Sequence, residues 1–100
     1  MASVSKTEDA ESDLLEIWGT IAENNPLNAD RFLDQIESHC ENLAYSPRIG
    51  KPRSDLGTEI RSFPVGEYLL FYQPIDEGIL LVRVIHGRRN YEALFQRESK

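Results

Sequence analysis

The sequence predicts an α+β domain: an N-terminal antiparallel helical hairpin packed on a small, mainly antiparallel sheet. Three observations predict it. Apolar residues recur at three-to-four spacing as far as Leu43, a loop with two prolines and a glycine follows, and period-two strand candidates separated by turn residues fill the rest. Charge changes sign at the same boundary: residues 1–47 carry 2 Lys/Arg against 10 Asp/Glu, and residues 48–100 carry 9 against 7.

Thr7 followed by Glu8 and Asp9 marks a helix start, an oxygen-bearing cap with acids that complement the macrodipole. Ala10, Leu14, Ile17, Trp18 and Ile21 then share one face to about residue 24. Asn24-Asn25-Pro26 interrupts that pattern, because proline disfavours helical geometry in the residue before it. A second stripe, Ala29, Phe32, Leu33, Ile36, Cys40 and Leu43, follows at once, so the two helices should fold back on each other. Asp30, Asp34, Glu37 and Glu41 decorate the outer sides as a solvated face, since a convex surface disperses carboxylates rather than gathering them.

Ser46 to Arg53 reads as a stiffened surface loop. Strand candidates come next, Glu59 to Phe63 and Tyr68 to Tyr72, with Pro64-Val65-Gly66 as the turn between them. Pro74 to Gly78 forms a hairpin loop before a strand from Ile79 to Ile85. Strict alternation sends Leu80, Val82 and Val84 toward the helices and Arg83 to the opposite face. Asn90 to Phe95 has room for a helical turn or a docked tail.

One hundred residues suit a single domain spanning 1–100, which buries on the order of 65% of its unfolded surface. Cys40 is the one cysteine, so no internal disulfide forms and a reducing compartment is expected. The longest apolar run, Ile79 to Val82, is far too short to cross a bilayer, and the amino terminus lacks a signal-like apolar core. A net charge of −6 leaves little surplus cation for phosphate, so strong direct nucleic-acid binding is not expected and a protein partner is.

Metal binding finds no support, since His39, Cys40 and His86 lack ligand spacing, and no glycine-rich phosphate loop signals a nucleotide cofactor. The chemistry-bearing cluster lies at the end of the last strand, where His86, Arg88, Arg89 and Tyr91 follow one another. Metal-free RNA cleavage would need a proton-transferring group, for which His86 and Tyr91 are candidates, and cations on phosphate, for which Arg61, Arg83 and Arg88 are. Each has a plainer reading as a strand-end imidazole, a packing aromatic or a solvated cation. Arg83, flanked by Val82 and Val84, must find a carboxylate, an aromatic face or a partner.

The ordered blocks Asp13-Leu14-x-x-Ile17-Trp18, Ala29-x-x-Phe32-Leu33, Ser46 to Arg53, Arg61-x-Phe63-Pro64-Val65-Gly66-x-Tyr68 and Arg83 to Arg89 span nearly the whole chain. In this order they resemble the ParE/RelE toxins of bacterial type II toxin–antitoxin pairs, and the ParE branch most. The resemblance implies a helical hairpin on a small antiparallel sheet, with residues 1–6 offered as an edge strand that the residues themselves do not demand. It implies a cytoplasmic toxin without cofactors, neutralised by a cognate antitoxin with a ribbon-helix-helix DNA-binding domain and an extended segment that wraps the toxin. ParE-like members poison DNA gyrase; RelE-like members cut messenger RNA on the ribosome, and an inactive relic that only binds antitoxin is a third reading. The nuclease reading would use Arg61, Arg83, His86, Arg88 and Tyr91, but a RelE-like enzyme is generally basic. Gyrase inhibition is therefore the expectation, with Arg83, Arg88, Arg89, Tyr91 and Phe95 as target contacts. Tyr68, Tyr72, Arg48 and Arg53 are the expected antitoxin contacts, as exposed aromatics and loop cations.

Overall fold

The computed structural model describes residues 2–98, so Met1 and residues 99–100 of the expected 1–100 domain lie outside the described residues. The chain runs through strand β1 (Ser3–Lys6), helices α1 (Glu8–Ala22) and α2 (Pro26–Tyr45), a 3-10 turn (Pro47–Ile49), strands β2 (Lys51–Pro52), β3 (Arg61–Val65), β4 (Tyr68–Ile75) and β5 (Gly78–His86), and helix α3 (Tyr91–Glu98). The sheet order is β1-β5-β4-β3-β2, with β1 parallel to β5 and the other neighbours antiparallel. This is the α+β class expected, and β1 is the edge strand that the amino-terminal residues left open.

The helix starts follow from local chemistry. Thr7 Oγ1 accepts from Ala10 N at 3.0 Å and donates to Val82 O at 2.8 Å, so one hydroxyl caps α1 and pins it to β5. The Asn25 side chain accepts from Asn28 N at 3.1 Å, and Pro26 occupies the first turn of α2, where its missing N–H costs nothing. Between β3 and β4, Gly66 carries φ +60° at the first turn position, the sign a primed hairpin turn needs there. That turn is Gly66-Glu67, so β3 keeps Pro64 and Val65, which the sequence reading had assigned to the turn.

Both faces of the sheet are covered. On one, the α1/α2 hairpin packs Ile17, Ile36, Cys40 and Leu43 against Leu70, Tyr72, Ile79, Leu81 and Val84, with Leu14, Ile21, Phe32 and Leu33 partly buried around them. On the other, Leu56, Ile60, Phe71, Ile85 and Phe95 form a second core, so the carboxy-terminal segment is a docked helix.

Strand β5 departs from simple alternation. Phe71 pairs with Arg83 but Tyr72 pairs with Leu81, which makes Val82 an extra residue, a β-bulge. Ile79, Leu81 and Val84 therefore face the helices, whereas Val82 joins the second core and Leu80 belongs to neither. The expected inward set Leu80, Val82, Val84 is corrected except at Val84, because a one-residue insertion flips every side chain on one side of it. Trp18 is also corrected: it stays 37% exposed, its indole N–H donating to Asp30 Oδ1 at 2.8 Å.

Candidate functional site

The residues expected to gather at the end of β5 separate into three groups. The first is an internal ion pair. Arg83 Nε and Nη2 donate to Asp13 Oδ2 and Oδ1 at 2.8 and 3.1 Å, and Val84 N donates to Oδ2 at 3.0 Å. The two side chains are 13% and 10% exposed; Arg83 lies opposite Phe71 in the register, and its guanidinium reaches Asp13 on α1 from there. A bidentate guanidinium–carboxylate pair with a third donor satisfies the charges that burial would otherwise penalise. The bond answers the need for a carboxylate that Arg83 posed in the sequence. Asp13 itself was missed, although its place three residues after Ala10 and four before Ile17 puts an acid on the buried face of α1.

The second group sits at the β3–β4 turn. His86 Nδ1 accepts from Arg88 N at 3.1 Å, which leaves Nε2 as the donor to Glu67 Oε1 at 3.2 Å. The ring meets Tyr68 edge-on at 5.2 Å, and Tyr68 in turn leans on Phe32 at 5.5 Å. Burial, reinforced by Glu67 and Glu16, pushes the Tyr68 phenol above its ordinary range. Arg88 and Arg89 are exposed in the following turn. A cleft of about 120 Å³ opens here between α1 and the hairpin end, with Asp13, Glu16, Thr20, Tyr68, His86 and Arg89 on its walls.

The third group belongs to the second core. Tyr91 opens α3, meets Phe71 at a tilt with ring centroids 5.1 Å apart and lies under the Arg53 guanidinium at 5.3 Å. Phe95 is buried edge-on against Phe71 at 5.0 Å, where it holds α3 to the sheet. Arg53 grips Asp55 through two bonds of 3.0 and 3.2 Å, which raises its own pKa and holds the Asp55 carboxyl below its ordinary value.

Arg61 stands apart from all of these. Its Nη1 donates to Gly50 O at 2.7 Å and Arg48 O at 3.3 Å, fastening the 3-10 turn onto β3. Arg61 pairs with Tyr72 and His86 pairs with Tyr68, four residues along β4, a separation of roughly 13 Å along the strand alone. Tyr72 is corrected as an exposed anchor. It is fully buried, its hydroxyl donating to Pro47 O at 2.6 Å and accepting from Gly50 N at 2.9 Å. A Cβ at Gly50 would overlap that hydroxyl, which fixes glycine there. Of the expected contacts Arg48, Arg88 and Arg89 are exposed, and Tyr68 is half-buried. Among the described residues no group of three or more His, Cys, Asp or Glu is placed to hold a metal, and no helix is long and apolar enough to cross a membrane.

Comparison with known proteins places these features in a lineage. The family model for the ParE toxin of type II toxin–antitoxin system, parDE, matches residues 4–91. Toxin ParE3 of Caulobacter vibrioides is 33% identical over 94 residues, covering 93% of this chain and 94% of its own. Toxin RelE3 of the same organism is 30% identical over 88 residues, covering 87% and 96%. In solved structures the fold recurs in the chromosomal ParDE toxin–antitoxin system from P. aeruginosa, with a TM-score of 0.70 at 18% identity over 86% of this chain and 96% of that one.

Proposed function

The chain belongs to the ParE toxin family of type II toxin–antitoxin systems, and on that premise we propose that it inhibits DNA gyrase by protein–protein contact and is neutralised in the cytoplasm by a cognate antitoxin. One observation supports a poison over a nuclease: the groups a nuclease would need do not converge. Arg83 is neutralised by Asp13, and His86 lies at the far end of the strands from Arg61. Metal-free RNA cleavage needs base, acid and cations within hydrogen-bond reach of a single phosphodiester. A protein contact needs only an exposed patch, and Arg88 with Arg89 supplies one beside Tyr68 and His86. In this reading no cofactor takes part, the toxin alone binds nucleic acid weakly, and the antitoxin carries the ribbon-helix-helix DNA-binding domain.

The similarity to toxin RelE3 favours a second reading, ribosome-dependent cleavage of messenger RNA. The experiment that separates them measures supercoiling by purified gyrase, alongside transcript integrity on translating ribosomes. The expected outcome is loss of supercoiling with intact transcripts. Arg88→Glu together with Arg89→Glu should weaken inhibition by about 10- to 100-fold, as charge reversal in a contact patch does. Transcript cleavage that disappears in Tyr91→Phe, with gyrase unaffected, overturns the gyrase reading in favour of the nuclease.

A further inference from the structure

The end of the molecule away from His86 carries a groove that the gyrase reading leaves unused. One cavity, of about 310 Å³, is lined by Arg48, Arg61, Ser54 and Glu59 between the rings of Pro47, Pro52 and Pro74. A second, of about 410 Å³, lies between Ala44, Tyr45, Ile75 and the Asp76-Glu77 turn. Pro47 forms a wall of both, so the two adjoin at the 3-10 turn. The apolar part is open: Tyr45, Ile49 and Ile75 are 72%, 59% and 40% exposed. Isolated exposed side chains need no explanation, but Tyr45 and Ile75 line one hollow together, with Ile49 on the neighbouring 3-10 turn and charge of opposite sign at the two ends, and so form a patterned surface.

The charge order is the informative part. Arg48 and Arg61 stand at one end of the groove and Asp76 with Glu77 at the other. Arg61 is opposite Tyr72 on β4, and Asp76 follows Ile75 at the end of that strand. The ends are thus about four extended residues, roughly 13 Å, apart. The cationic end is built rather than incidental. Arg61 is fixed through Nη1 to two carbonyls, and three prolines with little freedom to lose surround it. Glu59 on the same wall disfavours a doubly charged phosphate more than a singly charged carboxylate.

We infer that this groove seats a short extended segment of the antitoxin bearing a carboxylate side chain over Arg48 and Arg61, an aliphatic side chain against Tyr45 and Ile75, and a basic side chain at Asp76 and Glu77. The inference rests on the reading that an antitoxin binds this chain, and it adds the place and the charge order of the bound segment. Acid, apolar residue and base complement the groove in sequence, and the rigid walls lower the ordering cost that a disordered segment brings to binding.

The test uses the full chain, the purified protein encoded beside it, and 12-residue peptides tiled across that protein. The expected binding peptide carries Asp or Glu about four residues from Lys or Arg with Leu, Ile or Val between. Arg48→Glu and Ile75→Ser should each weaken it at least about tenfold, with unchanged thermal unfolding, and Leu15→Ser, an exposed residue outside the groove, should not. Replacing the peptide's acid by Lys should restore binding to Arg48→Glu. Tight binding of the neighbour that ignores Arg48→Glu and Ile75→Ser leaves the antitoxin reading standing and overturns this seat. Failure of the neighbour to bind overturns both. Binding of a 12-nucleotide RNA that is lost in Arg48→Glu would overturn the assignment by giving these cations to nucleic acid.

Discussion

The two faces of the sheet are held by different means. Among the described residues, twelve buried side chains close the face toward α1 and α2, drawn from both helices and three strands, whereas five close the other. The first face is also tied polar group by polar group: Thr7 to Val82, Asp13 to Arg83 and Val84, Tyr72 to Pro47 and Gly50. The second depends on an aromatic cluster of Phe71, Tyr91 and Phe95, with Arg53 laid over Tyr91. A face assembled from many elements loses little when one loosens; a face closed by one short helix and the segment from Leu56 to Ile60 has few points of attachment. Local opening should thus concentrate on the carboxy-terminal layer, which leads directly from Arg88 and Arg89.

The largest break in this contrast should come from Asp13→Ala, which takes the carboxylate away from a buried guanidinium and from Val84 N. We expect a loss of about 3–5 kcal/mol in chemical denaturation, and a smaller loss in the double variant with Arg83→Met, where the buried guanidinium is gone as well. A double variant no more stable than Asp13→Ala would mean that the carboxylate serves Val84 N more than Arg83.

Next in size is Phe95→Ala, expected to cost roughly 2–4 kcal/mol because a buried ring leaves a cavity in the smaller core. The sharper readout is hydrogen exchange. Amides of α3 and of residues 56–60 should lose protection while those of α1 and α2 keep theirs; a uniform loss would show that the two cores open together.

A smaller effect separates the faces by pH. On the helix-facing side, burial foremost, with Glu37 adding to it, pushes the Cys40 thiol up to about 11, and burial likewise raises Tyr72. Both are neutral in the fold at neutral pH, and a raised pKa gives stability that is full below the unfolded value and lost as pH rises through the folded one. Unfolding free energy should fall between pH 9 and 11, with Cys40 accounting for roughly 2–3 kcal/mol of the decline. Cys40→Ala should flatten that limb. An unchanged slope would indicate that the thiol reaches solvent before the core opens.

The smallest effect lies on the other face and at the other end of the scale. Arg53 holds the exposed Asp55 carboxyl below its ordinary value, so its contribution is present above the unfolded pKa and fades as pH falls through the folded one. Asp55→Asn should produce only a slight loss of stability at neutral pH, which disappears in acid, because an exposed pair is screened by water. A marked loss would place Arg53 as a necessary cover for Tyr91.

The sequence by itself determined the class, both helices, the Thr7 cap and the three longer strands, because those rest on near-neighbour chemistry: Thr7 as a cap, Asn24-Asn25-Pro26 as a break, and stripes such as Ile36, Cys40 and Leu43 that repeat within a few positions. The ordered motif blocks also carried the family, which the later comparisons bear out. What the candidate residues do was less legible. Arg83 showed a need for a carboxylate but not which one, since Asp13 lies 70 positions away. Only the tertiary structure decided the bulge at Val82, the burial of Tyr72 and Phe95, the parallel docking of β1, and the distance between Arg61 and His86. The reason is physical. Alternation along a strand is a local rule that one inserted residue reverses, and the insertion becomes visible only in the partner strand's register. Whether a polar or aromatic side chain faces solvent likewise depends on which distant carbonyl, carboxylate or ring the fold brings to it.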